Sequence, residues 1–449
     1  MEFLFSGFKM IYLYSLLGQV IFIIALIQMS YQKRSPKSMI AWLLAFFLMP
    51  YIAVPMYLLV GLRKQRYNKE ELSLSTETTV DYGYQKLPVQ TGNHFEFFTT
   101  GEEEYTALMQ MIEQSQQTVY MTVYKLEIDR STTLILEALE KKAQEGVSVK
   151  ILLDALGSIN LYILQYKLKK YRRSGIQIAF FMPILKMPFR NYINLRNHRK
   201  AFVFDEETVL SGGINLADSY LGPTKNKQRW TDIMFLIKGK AARPYLEIFC
   251  ADWAYTTKET LQMYDHEIVD YGNVNVQVIP SGPDVKADHL YEELLKLLYN
   301  AKKRIWIVTP YFIPNEGILD ALIIAKHNGV DVRLITPRNS DHLIADLGRS
   351  SFMREIEEHD IYIGLFEDSM LHAKAMIIDD IGLLGSANIS YRSMFLNYET
   401  VSLFDSKEVV LKIEVWMNYL LSCSTEEIRH HGKLRRLGEN LMKVFTPLM

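Results

Sequence analysis

The sequence predicts an α/β protein in which an N-terminal transmembrane helical hairpin precedes two similar domains. Three observations lead to this fold class. The chain opens with two long uncharged apolar runs, one order of helices and strands then occurs twice, and short apolar strands alternate with helices. Such alternation is typical of α/β layers with a largely parallel sheet. The length of 449 residues agrees with this division, because it exceeds what one ordinary domain holds.

Residues 1–65 are predicted to form the hairpin. No charged residue occurs in either apolar run, and the two spans are about 10–29 and 39–60. Each run has about 20 residues, which is enough to cross a hydrocarbon core of roughly 30 Å. Pro50 and Pro55 in the second run are expected to kink or shorten it. A cleaved signal peptide is the alternative, and the second span counts against it.

Basic residues near the two runs favour a cytoplasmic position for the rest of the chain by a thin margin. Lys33, Arg34 and Lys37 lie between the runs. Five basic residues flank the other side: Lys9, Arg63, Lys64, Arg66 and Lys69. Since basic residues are enriched on the cytoplasmic side, we expect a multi-pass protein of the cell membrane with cytoplasmic catalytic domains.

A repeated order of elements defines the two domains. A polar stretch at 66–92 is interpreted as a linker, followed by domain 1 at 93–270 and domain 2 at 271–449, which ends in a helix. In both domains a helix, a strand, a helix, a Gly-Val turn and a buried strand follow one another. The clearest of these are 101–117, 118–124 and 145–154 in the first copy, and 288–303, 304–311 and 328–335 in the second. The copies lie about 185 residues apart, which indicates duplicated domains rather than a solenoid.

Composition argues against some classes of function. Lys plus Arg number 50 and Asp plus Glu number 51, so no overall positive charge favours binding to nucleic acid. Cys250 and Cys423 are far apart and outside any C-x-x-C pattern, which fits neither a disulfide framework nor a zinc site. We therefore expect no nucleic-acid partner, and a reducing compartment.

Each domain contains one unusual string of polar residues after its repeated elements. The strings are HRKAFVFD at His198–Asp205, followed by Gly212, Gly213 and Asn215, and HAKAMIID at His372–Asp379, followed by Gly385, Ser386 and Asn388. In each string, His and Lys two residues apart lie on the same face of a strand and can address one ligand. A third His-x-Lys pair begins at His431, but it has neither the Asp nor the Gly and Asn residues. Two complete copies at matching places therefore carry a strong signal.

These residue types suit the exchange of a phosphodiester. Such a reaction needs a nucleophile, a proton donor for the leaving alkoxide, and positive charge around the phosphoryl oxygens. His198 and His372 can supply the first two, because imidazole titrates near neutral pH. The phosphoryl oxygens are assigned to the lysines and to neighbouring polar residues: Lys200, Lys374, Asn215, Ser386 and Asn388. The sequence has no cluster with metal-ligand spacing, so no metal or other cofactor is predicted.

One loop of domain 1 has a composition suited to lipids. The segment 183–196 mixes basic with apolar side chains: Lys186, Arg190, Arg196, Phe189, Tyr192 and Leu195. That mixture suits contact with anionic headgroups and acyl chains, and an ordinary solvated loop is an equal alternative.

The two strings match the paired signature of the phospholipase D superfamily, and the chain resembles its cardiolipin synthase branch. Further stretches carry the resemblance: Asn197–Lys200, Ser281–Pro283, Thr309–Pro314, Tyr391–Ser393, Leu396–Glu399 and Pro447–Met449. The similarity covers nearly the whole chain. There are two departures. Gly213 stands where Ser is common in the wider superfamily, as is familiar in cardiolipin synthases, and the second string is one residue shorter between its Asp and its Gly, for which a shortened turn is the expected cause.

The resemblance implies two tandem phospholipase D-like α/β domains that share one active site at their interface. It also implies a covalent phosphohistidine intermediate, with His198 as the nucleophile and His372 as general acid and then base. Asp232 and Glu399 lie at family-like distances after His198 and His372, and they are assigned to hold the other ring nitrogens.

The Asp that ends each string has two interpretations. Asp205 and Asp379 are counted with the histidines and lysines among the catalytic candidates. A structural role, in which they brace the strand ends or the lysines, is preferred for both.

For function, the resemblance implies a membrane-embedded cardiolipin synthase that acts on phosphatidylglycerol and other membrane phospholipids. One phosphatidylglycerol gives its phosphatidyl group to the enzyme and releases glycerol, and a second one accepts the group. The alternatives are a phospholipase D that uses water, a transferase that uses another alcohol, a nuclease on the same scaffold, and a lipid-binding scaffold without turnover. The two complete His and Lys pairs count against the last of these. The acceptor alcohol and the oligomeric state are left open.

Overall fold

A computed structural model gives the structure of most of the chain. The described residues are 19–20, 22–30, 36–57, 89–184, 194–264, 268–285, 288–426 and the single positions 432, 435, 439 and 443. They divide into two units, Met1–Gln65 with Ile184–Asn194, and Arg66–Pro183 with Leu195–Met449. Both copies of the sequence repeat belong to the second unit.

The N-terminal part of the first unit is largely helical where it is described. Residues 22–30 are helical, and α1 (Pro36–Leu48) and α2 (Pro50–Met56) follow. The second predicted span is broken at Met49, which has φ −142°, because the following Pro50 lacks an N–H group and disfavours helical backbone before it. Among the described residues, no helix combines the length and the apolar character that crossing a bilayer requires.

Parts of the predicted N-terminal organisation lie outside the described residues. These parts are 10–18 and 21 of the first span, 58–60 of the second, and 66–88 of the linker. Residues 185–193 of the loop suited to lipids and most of the predicted C-terminal helix also lie outside the described residues. Of the basic residues that favour the cytoplasmic orientation, Lys37 is described and the others are not.

The second unit contains two copies of one order of elements. The first copy comprises β1 (Gln90–Phe98), α3 (Gly101–Gln114), β2 (Thr118–Val123), α4 (Arg130–Gln144), β3 (Ser148–Asp154), α5 (Ile159–Ile163), α6 (Lys169–Arg173), β4 (Gln177–Phe181), β5 (Ala201–Phe204), β6 (Thr208–Gly212), β7 (Met234–Lys238) and α7 (Ala242–Thr257). The second comprises β8 (Val274–Ser281), α8 (His289–Asn300), β9 (Arg304–Val308), α9 (Glu316–His327), β10 (Asp331–Pro337), α10 (Leu343–Glu357), β11 (Tyr362–Phe366), β12 (Ala375–Ile378), β13 (Ile381–Gly385), α11 (Tyr391–Phe395), β14 (Glu399–Phe404), α12 (Lys407–Ser422) and β15 (Ser424–Thr425). The predicted helices and strands of the repeat are therefore present, with ends shifted by a few residues.

Helix starts in both copies are set by capping residues. The N–H of Thr100 donates to the Glu103 side chain at 3.2 Å, and the N–H of Glu103 donates to the Thr100 hydroxyl at 3.4 Å, which forms a capping box before α3. Asp129 caps α4 with Thr132 in the same way. Such caps satisfy N–H groups that the first helical turn leaves without partners.

The strands of both copies form one sheet of 15 strands in the order β15-β11-β10-β9-β12-β13-β14-β8-β1-β7-β6-β5-β2-β3-β4. The pair β8–β1 is antiparallel and lies at the centre of this order. From it outwards, the strands of the two copies follow in nearly the same order, so the two copies are continuous through their first strands. Pairing is parallel in β2–β3–β4 and β9–β10–β11 and antiparallel in the inner strands. The expectation of a largely parallel sheet is wrong for the inner strands, because short turns join β5 to β6 and β12 to β13 as hairpins.

The strands that carry the two strings are fully buried. Every residue of β5 and β12 is buried, and so is every residue of β2, which pairs with β5. The helices cover the sheet with apolar stripes at helical spacing, such as Leu290, Leu294 and Leu298 of α8. A rigid sheet between helices thus holds the residues that immediately precede β5 and β12.

Candidate active site

The two strings meet where the copies adjoin. Short parallel bridges join Asn197 to Tyr398 and Thr231 to Leu371, so each copy lays backbone beside the string of the other. The N–H of His198 donates to the carbonyl of Tyr398 at 2.9 Å, and the N–H of His372 donates to the carbonyl of Thr231 at 2.8 Å. The backbone of each histidine is therefore fixed by the opposite copy.

The carboxylates that contact the histidines are exchanged between the copies. Nδ1 of His198 lies 3.0 Å from Oε2 of Glu399, and Nδ1 of His372 lies 2.7 Å from Oδ2 of Asp232. The sequence order places Asp232 after His198 and Glu399 after His372, so it does not reveal this exchange. Each histidine–carboxylate pair takes one member from each copy.

Glu399 is the centre of a hydrogen-bond network. Besides the contact with His198, it accepts hydrogen bonds from Ser386 at 2.6 Å, Ser393 at 2.8 Å and Asn397 at 3.3 Å. Burial raises the pKa of Glu399, but His198 and the other donors outweigh burial and hold the pKa below its usual range. The network therefore keeps Glu399 ionised and fixed in position.

Asp232 has a smaller set of partners. It contacts His372, and one of its oxygens also accepts the N–H of Ile233 at 2.9 Å. Burial raises the pKa of Asp232, while the hydrogen bond from His372 and the charge of Lys374 oppose burial and leave the pKa below its usual value. Both carboxylates are thus anionic although they are buried.

The lysines lie against the histidines of their own strings. Nζ of Lys200 donates to the carbonyl of His198 at 2.8 Å, and Nζ of Lys374 donates to the carbonyl of His372 and lies 3.1 Å from its Nε2. Burial lowers the pKa of Lys374 to about 8 and brings the pKa of Lys200 well below its ordinary value. An anion that binds between the two ammonium groups would offset this loss of hydration.

Both histidines are neutral in this structure at physiological pH. Burial lowers the pKa of His198 and of His372 to about 4, and the lysine charges act in the same direction, against the carboxylates. A phosphodiester between the lysines would counter their charge and raise both pKa values. Substrate binding therefore favours the protonation that a general acid needs.

The polar residues after each string differ in what they can bind. The amide of Asn215 donates to the Tyr220 hydroxyl at 3.0 Å, and the N–H of Asn388 donates to the Ser393 hydroxyl at 3.2 Å. The side-chain oxygens of both asparagines are buried without a hydrogen-bond partner. An amide oxygen only accepts hydrogen bonds, so it is the NH2 groups of the two amides that remain candidates to bind the phosphoryl oxygens.

Ser386 does not fit the phosphate-binding role assigned from the sequence. Its single O–H group donates to Glu399 at 2.6 Å, and its oxygen accepts the N–H of Thr400 at 3.0 Å. The hydroxyl therefore has no second proton for a phosphoryl oxygen and positions the carboxylate instead.

The glycines of the two strings are required by close backbone contacts. A Cβ atom on Gly212 would lie 2.2 Å from the carbonyl oxygen of Ile233, and one on Gly385 would lie 2.3 Å from that of Thr400. A Cβ atom on Gly213 would lie 2.1 Å from Oδ1 of Asp232, which gives the Gly-Gly departure a local cause.

The one-residue difference between the strings is confined to the hairpin turn. Phe204 pairs with Thr208 across the first turn, and Ile378 pairs with Ile381 across the second. The second turn is therefore one residue shorter, as expected, and beyond it the two strings are again in register.

Asp205 and Asp379 do not belong to the catalytic group. Asp205 accepts the N–H groups of residues 116–118 at 2.7 to 2.9 Å, and Asp379 accepts those of residues 302–304 at 2.7 to 3.0 Å. Both residues have positive φ, 47° and 52°, at the start of a hairpin turn. They lie at the far ends of the strands from the histidines and brace the entry to β2 and β9, not the lysines.

Several residues of the site carry no role in the sequence prediction. Ser393 and Asn397 lie in stretches that support the family resemblance, so their position in the sequence was a usable signal. The aromatic rings around the histidines gave no such signal. The ring centroid of Tyr124 lies 5.0 Å from that of His198, and those of Tyr220 and Trp230 lie 5.1 and 5.5 Å from that of His372.

Comparison with known proteins points to one family. Residues 108–253 and 294–421 match the family described as "Cardiolipin synthase, PLD-like domain", and residues 20–61 match the family described as "Phospholipase_D-nuclease N-terminal". Cardiolipin synthase 1 of Bacillus anthracis is 30% identical over 486 aligned positions, which cover 97% of this chain and 94% of the relative. Cardiolipin synthase of Geobacillus kaustophilus is also 30% identical, with coverage of 98% and 95%.

A solved structure has the same fold. The phosphatidylserine synthase of Haemophilus influenzae superposes with a TM-score of 0.63 and 18% sequence identity. The superposition covers 81% of this chain and 97% of that protein. At this level of identity the likeness concerns the fold alone.

Proposed function

The chain belongs to the cardiolipin synthase family of the phospholipase D superfamily, and from this premise we propose how its site makes cardiolipin. The reaction transfers a phosphatidyl group from one phosphatidylglycerol to another and releases glycerol. The observation that carries the proposal is the pair of exchanged contacts, His198 with Glu399 and His372 with Asp232, beside two buried lysines. Two neutral imidazoles held by carboxylates supply a nucleophile and a proton carrier.

In the first step, His198 attacks phosphorus in one phosphatidylglycerol. The contact of Nδ1 with Glu399 assigns the Nδ1 proton to that hydrogen bond, so Nε2 carries the lone pair. The bond from Nε2 to phosphorus forms as the bond from phosphorus to the glycerol oxygen breaks. His372, protonated once the phosphodiester is bound, gives this proton to that oxygen and becomes neutral. Glycerol leaves, and Lys200 and Lys374 stabilise the charge on the phosphoryl oxygens.

In the second step, a hydroxyl group of another phosphatidylglycerol attacks the phosphohistidine. His372, now neutral, accepts the hydroxyl proton as the new bond from oxygen to phosphorus forms. The bond from phosphorus to Nε2 breaks and returns His198 to its starting state. Exclusion of water from the buried site favours this acceptor over hydrolysis.

A membrane location follows from the relatives, and two N-terminal spans with cytoplasmic catalytic domains are the finer proposal. Its support is the match of residues 20–61 to an N-terminal family and the exposed apolar side chains of α1 and α2, among which Phe47 is 82% exposed and Tyr51 is 81% exposed. Labelling of single introduced cysteines in intact cells tests this arrangement. Protection of positions after residue 66 from an impermeant reagent supports it, and rapid labelling there contradicts it.

Product analysis tests the activity directly. Purified protein in liposomes receives phosphatidylglycerol labelled in its headgroup, beside His198→Ala and His372→Ala. We expect cardiolipin and free glycerol from the unchanged protein, and a loss of at least about 10³-fold in both variants. Phosphatidic acid as the main product would show a hydrolase, and a product that needs an added alcohol would show a different transferase.

A lipid with a good leaving group separates the roles of the two histidines. Phosphatidyl-p-nitrophenol releases p-nitrophenolate, which needs no proton from a general acid. His372→Ala is therefore expected to give a burst of p-nitrophenolate, while His198→Ala gives none. A burst in His198→Ala alone would reverse the two assignments.

A further inference from the structure

Arg199, the residue that follows His198 in the first string, has a side chain that bonds to both copies. The residue is only 1% exposed. Its Nη1 atom donates to Oδ2 of Asp252 in α7 at 2.7 Å. Its Nε and Nη2 atoms donate to backbone carbonyls of the opposite copy, that of Glu399 at 3.2 Å and that of Ser281 at 3.1 Å. A single buried guanidinium group therefore joins a helix of one copy to two strands of the other.

The two carbonyls that accept from Arg199 lie at neighbouring strand ends. Glu399 is the first residue of β14, Ser281 is the last residue of β8, and the two residues pair with each other. The guanidinium group also lies over the ring of Tyr398, with its Cζ atom 5.2 Å from the ring centroid. Since the side chain of Glu399 contacts His198, Arg199 fixes the backbone from which that carboxylate extends.

Asp252 holds the residues on both sides of His198. Its Oδ2 atom accepts from Nδ2 of Asn197 at 2.9 Å as well as from Arg199. The backbone N–H of Arg199 donates in turn to Oδ1 of Asn197 at 3.1 Å. Asp252 is itself buried in α7. The residues before and after His198 are thus anchored to one carboxylate oxygen.

The charge of Arg199 strengthens these contacts. Burial lowers the pKa of Arg199, but the charges of Asp252 and Asp284 outweigh burial and raise the pKa above its ordinary value. Oδ1 of Asp284 lies 3.7 Å from Nη2 of Arg199. The bonds to the two carbonyls are therefore made by a charged donor, and such bonds are stronger than those between neutral groups.

The second string has no equivalent of this network at the positions beside its histidine. Leu371 and Ala373 occupy these positions, and both are buried. Neither side chain can donate or accept a hydrogen bond. The network around Arg199 therefore belongs to one half of the site, the half that contains His198.

We propose that Arg199, held by Asp252, is a positioning residue for the attack of His198 on phosphorus. It keeps the backbone of Glu399 in place beside His198, so that the carboxylate holds the Nδ1 proton and Nε2 is directed at the substrate. The inference rests on the proposed function and adds to its first step a residue that does not touch the substrate. Displacement of a reacting atom by about 1 Å can cost about 10²-fold in rate.

The burst of p-nitrophenolate from phosphatidyl-p-nitrophenol tests the proposal in the His372→Ala background. The amplitude of the burst counts the competent sites, and its rate constant measures the attack by His198. For Arg199→Lys we expect the rate constant to fall at least about tenfold and the amplitude per folded protein to stay unchanged. The reason is that an ammonium group keeps the charge but cannot reach the carboxylate and both carbonyls in one fixed geometry. Arg199→Met is expected to lower the rate constant further.

Asp252→Asn is the second variant, because it keeps the size of the side chain and one acceptor oxygen. We expect the rate constant to fall about three- to tenfold, since the acceptor of the bonds from Asn197 and Arg199 loses its charge. The double variant with Arg199→Lys is expected to lose less than the product of the two single losses, because both changes act through one network.

Arg349→Lys is the matched control. Arg349 of α10 is also buried, lies 2.8 Å from Asp346, and donates to the Thr336 hydroxyl at 2.9 Å and to the Arg338 carbonyl at 3.0 Å. None of these described contacts is with a histidine of the site or its carboxylate. The control is expected to be destabilised as Arg199→Lys is, which thermal unfolding measures, and to keep the burst rate constant of the background.

The rate constant and the amplitude of the burst separate a positioning role from a purely structural one. A smaller amplitude with an unchanged rate constant in Arg199→Lys and Asp252→Asn would show that the network only supports the fold, and would overturn the proposal. Equal losses of the rate constant in Arg349→Lys and Arg199→Lys would also overturn it. No burst from His372→Ala with Arg199 unchanged would instead refute the role proposed for His198, and the positioning role with it.

Discussion

The two halves of the active site share one plan but differ in how they hold their carboxylates. In both halves, a histidine before a buried strand receives a carboxylate from the other copy. On the His198 side the carboxylate is Glu399, which has hydrogen bonds from two serines and an asparagine in addition to the histidine. On the His372 side it is Asp232, which contacts the histidine and its own neighbour, the N–H of Ile233.

The difference in side-chain length explains a difference in the strings. The residue after the string's first glycine is Ser386 in one half, where its hydroxyl donates to the longer Glu399. In the other half it is Gly213, and the shorter Asp232 occupies the space that a side chain there would need. The two halves therefore share one backbone arrangement, but the carboxylate and the small residue beside it differ together between them.

Replacing the carboxylates of the two halves is expected to have the largest effect on activity. Asp232→Asn and Glu399→Gln remove the anion that orients each imidazole, and we expect kcat/KM to fall by about 10²- to 10⁴-fold. Glu399→Gln is expected to be less stable as well, because the new NH2 group meets donors in place of acceptors. Cardiolipin formation and thermal unfolding, measured on the same samples, check both expectations.

Asp320→Asn provides the control for the charge change, because Asp320 is exposed on α9. It is expected to keep the activity and unfolding temperature of the unchanged protein. A loss smaller than tenfold in Asp232→Asn would mean that the exchanged contact at His372 has little part in the reaction.

Exchanging the small residues Gly213 and Ser386 between the halves is expected to have an intermediate effect on activity, and the two losses are expected to differ. Gly213→Ser places a side chain against Asp232 and is expected to lower kcat by about 10- to 100-fold, since Asp232 has to move away from His372. Ser386→Gly removes one hydrogen bond to Glu399 and leaves the other donors, so a loss of about tenfold or less is expected. Steady-state kinetics of cardiolipin formation give both numbers. Equal losses would contradict the view that each half is adjusted to its own carboxylate.

The sequence predicted the parts of the site that depend on neighbours along the chain. His198 and Lys200 come two residues apart immediately before β5, and the Gly residue ends the return strand of the hairpin. The exchange of carboxylates could not be predicted in this way. The two contacts join residues that are separated by 201 and by 140 positions in the sequence. The exchange therefore depends on how the copies pack and not on any local period.

The length of the strands alone could have shown that Asp205 and Asp379 lie away from the histidines. Asp205 comes seven residues after His198, and seven residues of extended chain span about 23 Å. A residue at that distance cannot share a phosphate with the histidine. The sheet direction was also misjudged, because the hairpins that carry the strings make the inner pairing antiparallel.

Replacing Asp205 or Asp379 is expected to have the smallest effect on catalysis, and the same effect in both halves. Each carboxylate accepts three backbone N–H groups through two oxygens, and an amide can accept through one. Asp205→Asn and Asp379→Asn are therefore expected to lower the free energy of unfolding by about 1–3 kcal/mol. The value of kcat/KM per folded molecule is expected to stay within about threefold of the unchanged protein.

Thermal unfolding and kinetics at a temperature where the variants are fully folded separate these two effects. Because the bracing geometry is nearly identical around Asp205 and Asp379, their unfolding losses should agree, whereas those of Asp232→Asn and Glu399→Gln should not. A loss of more than about 100-fold in kcat/KM for folded Asp205→Asn or Asp379→Asn would return that aspartate to the catalytic group. Equal effects in the scaffold and unequal effects in the site would show that the halves of this enzyme diverged where they contact substrate and not where they fold.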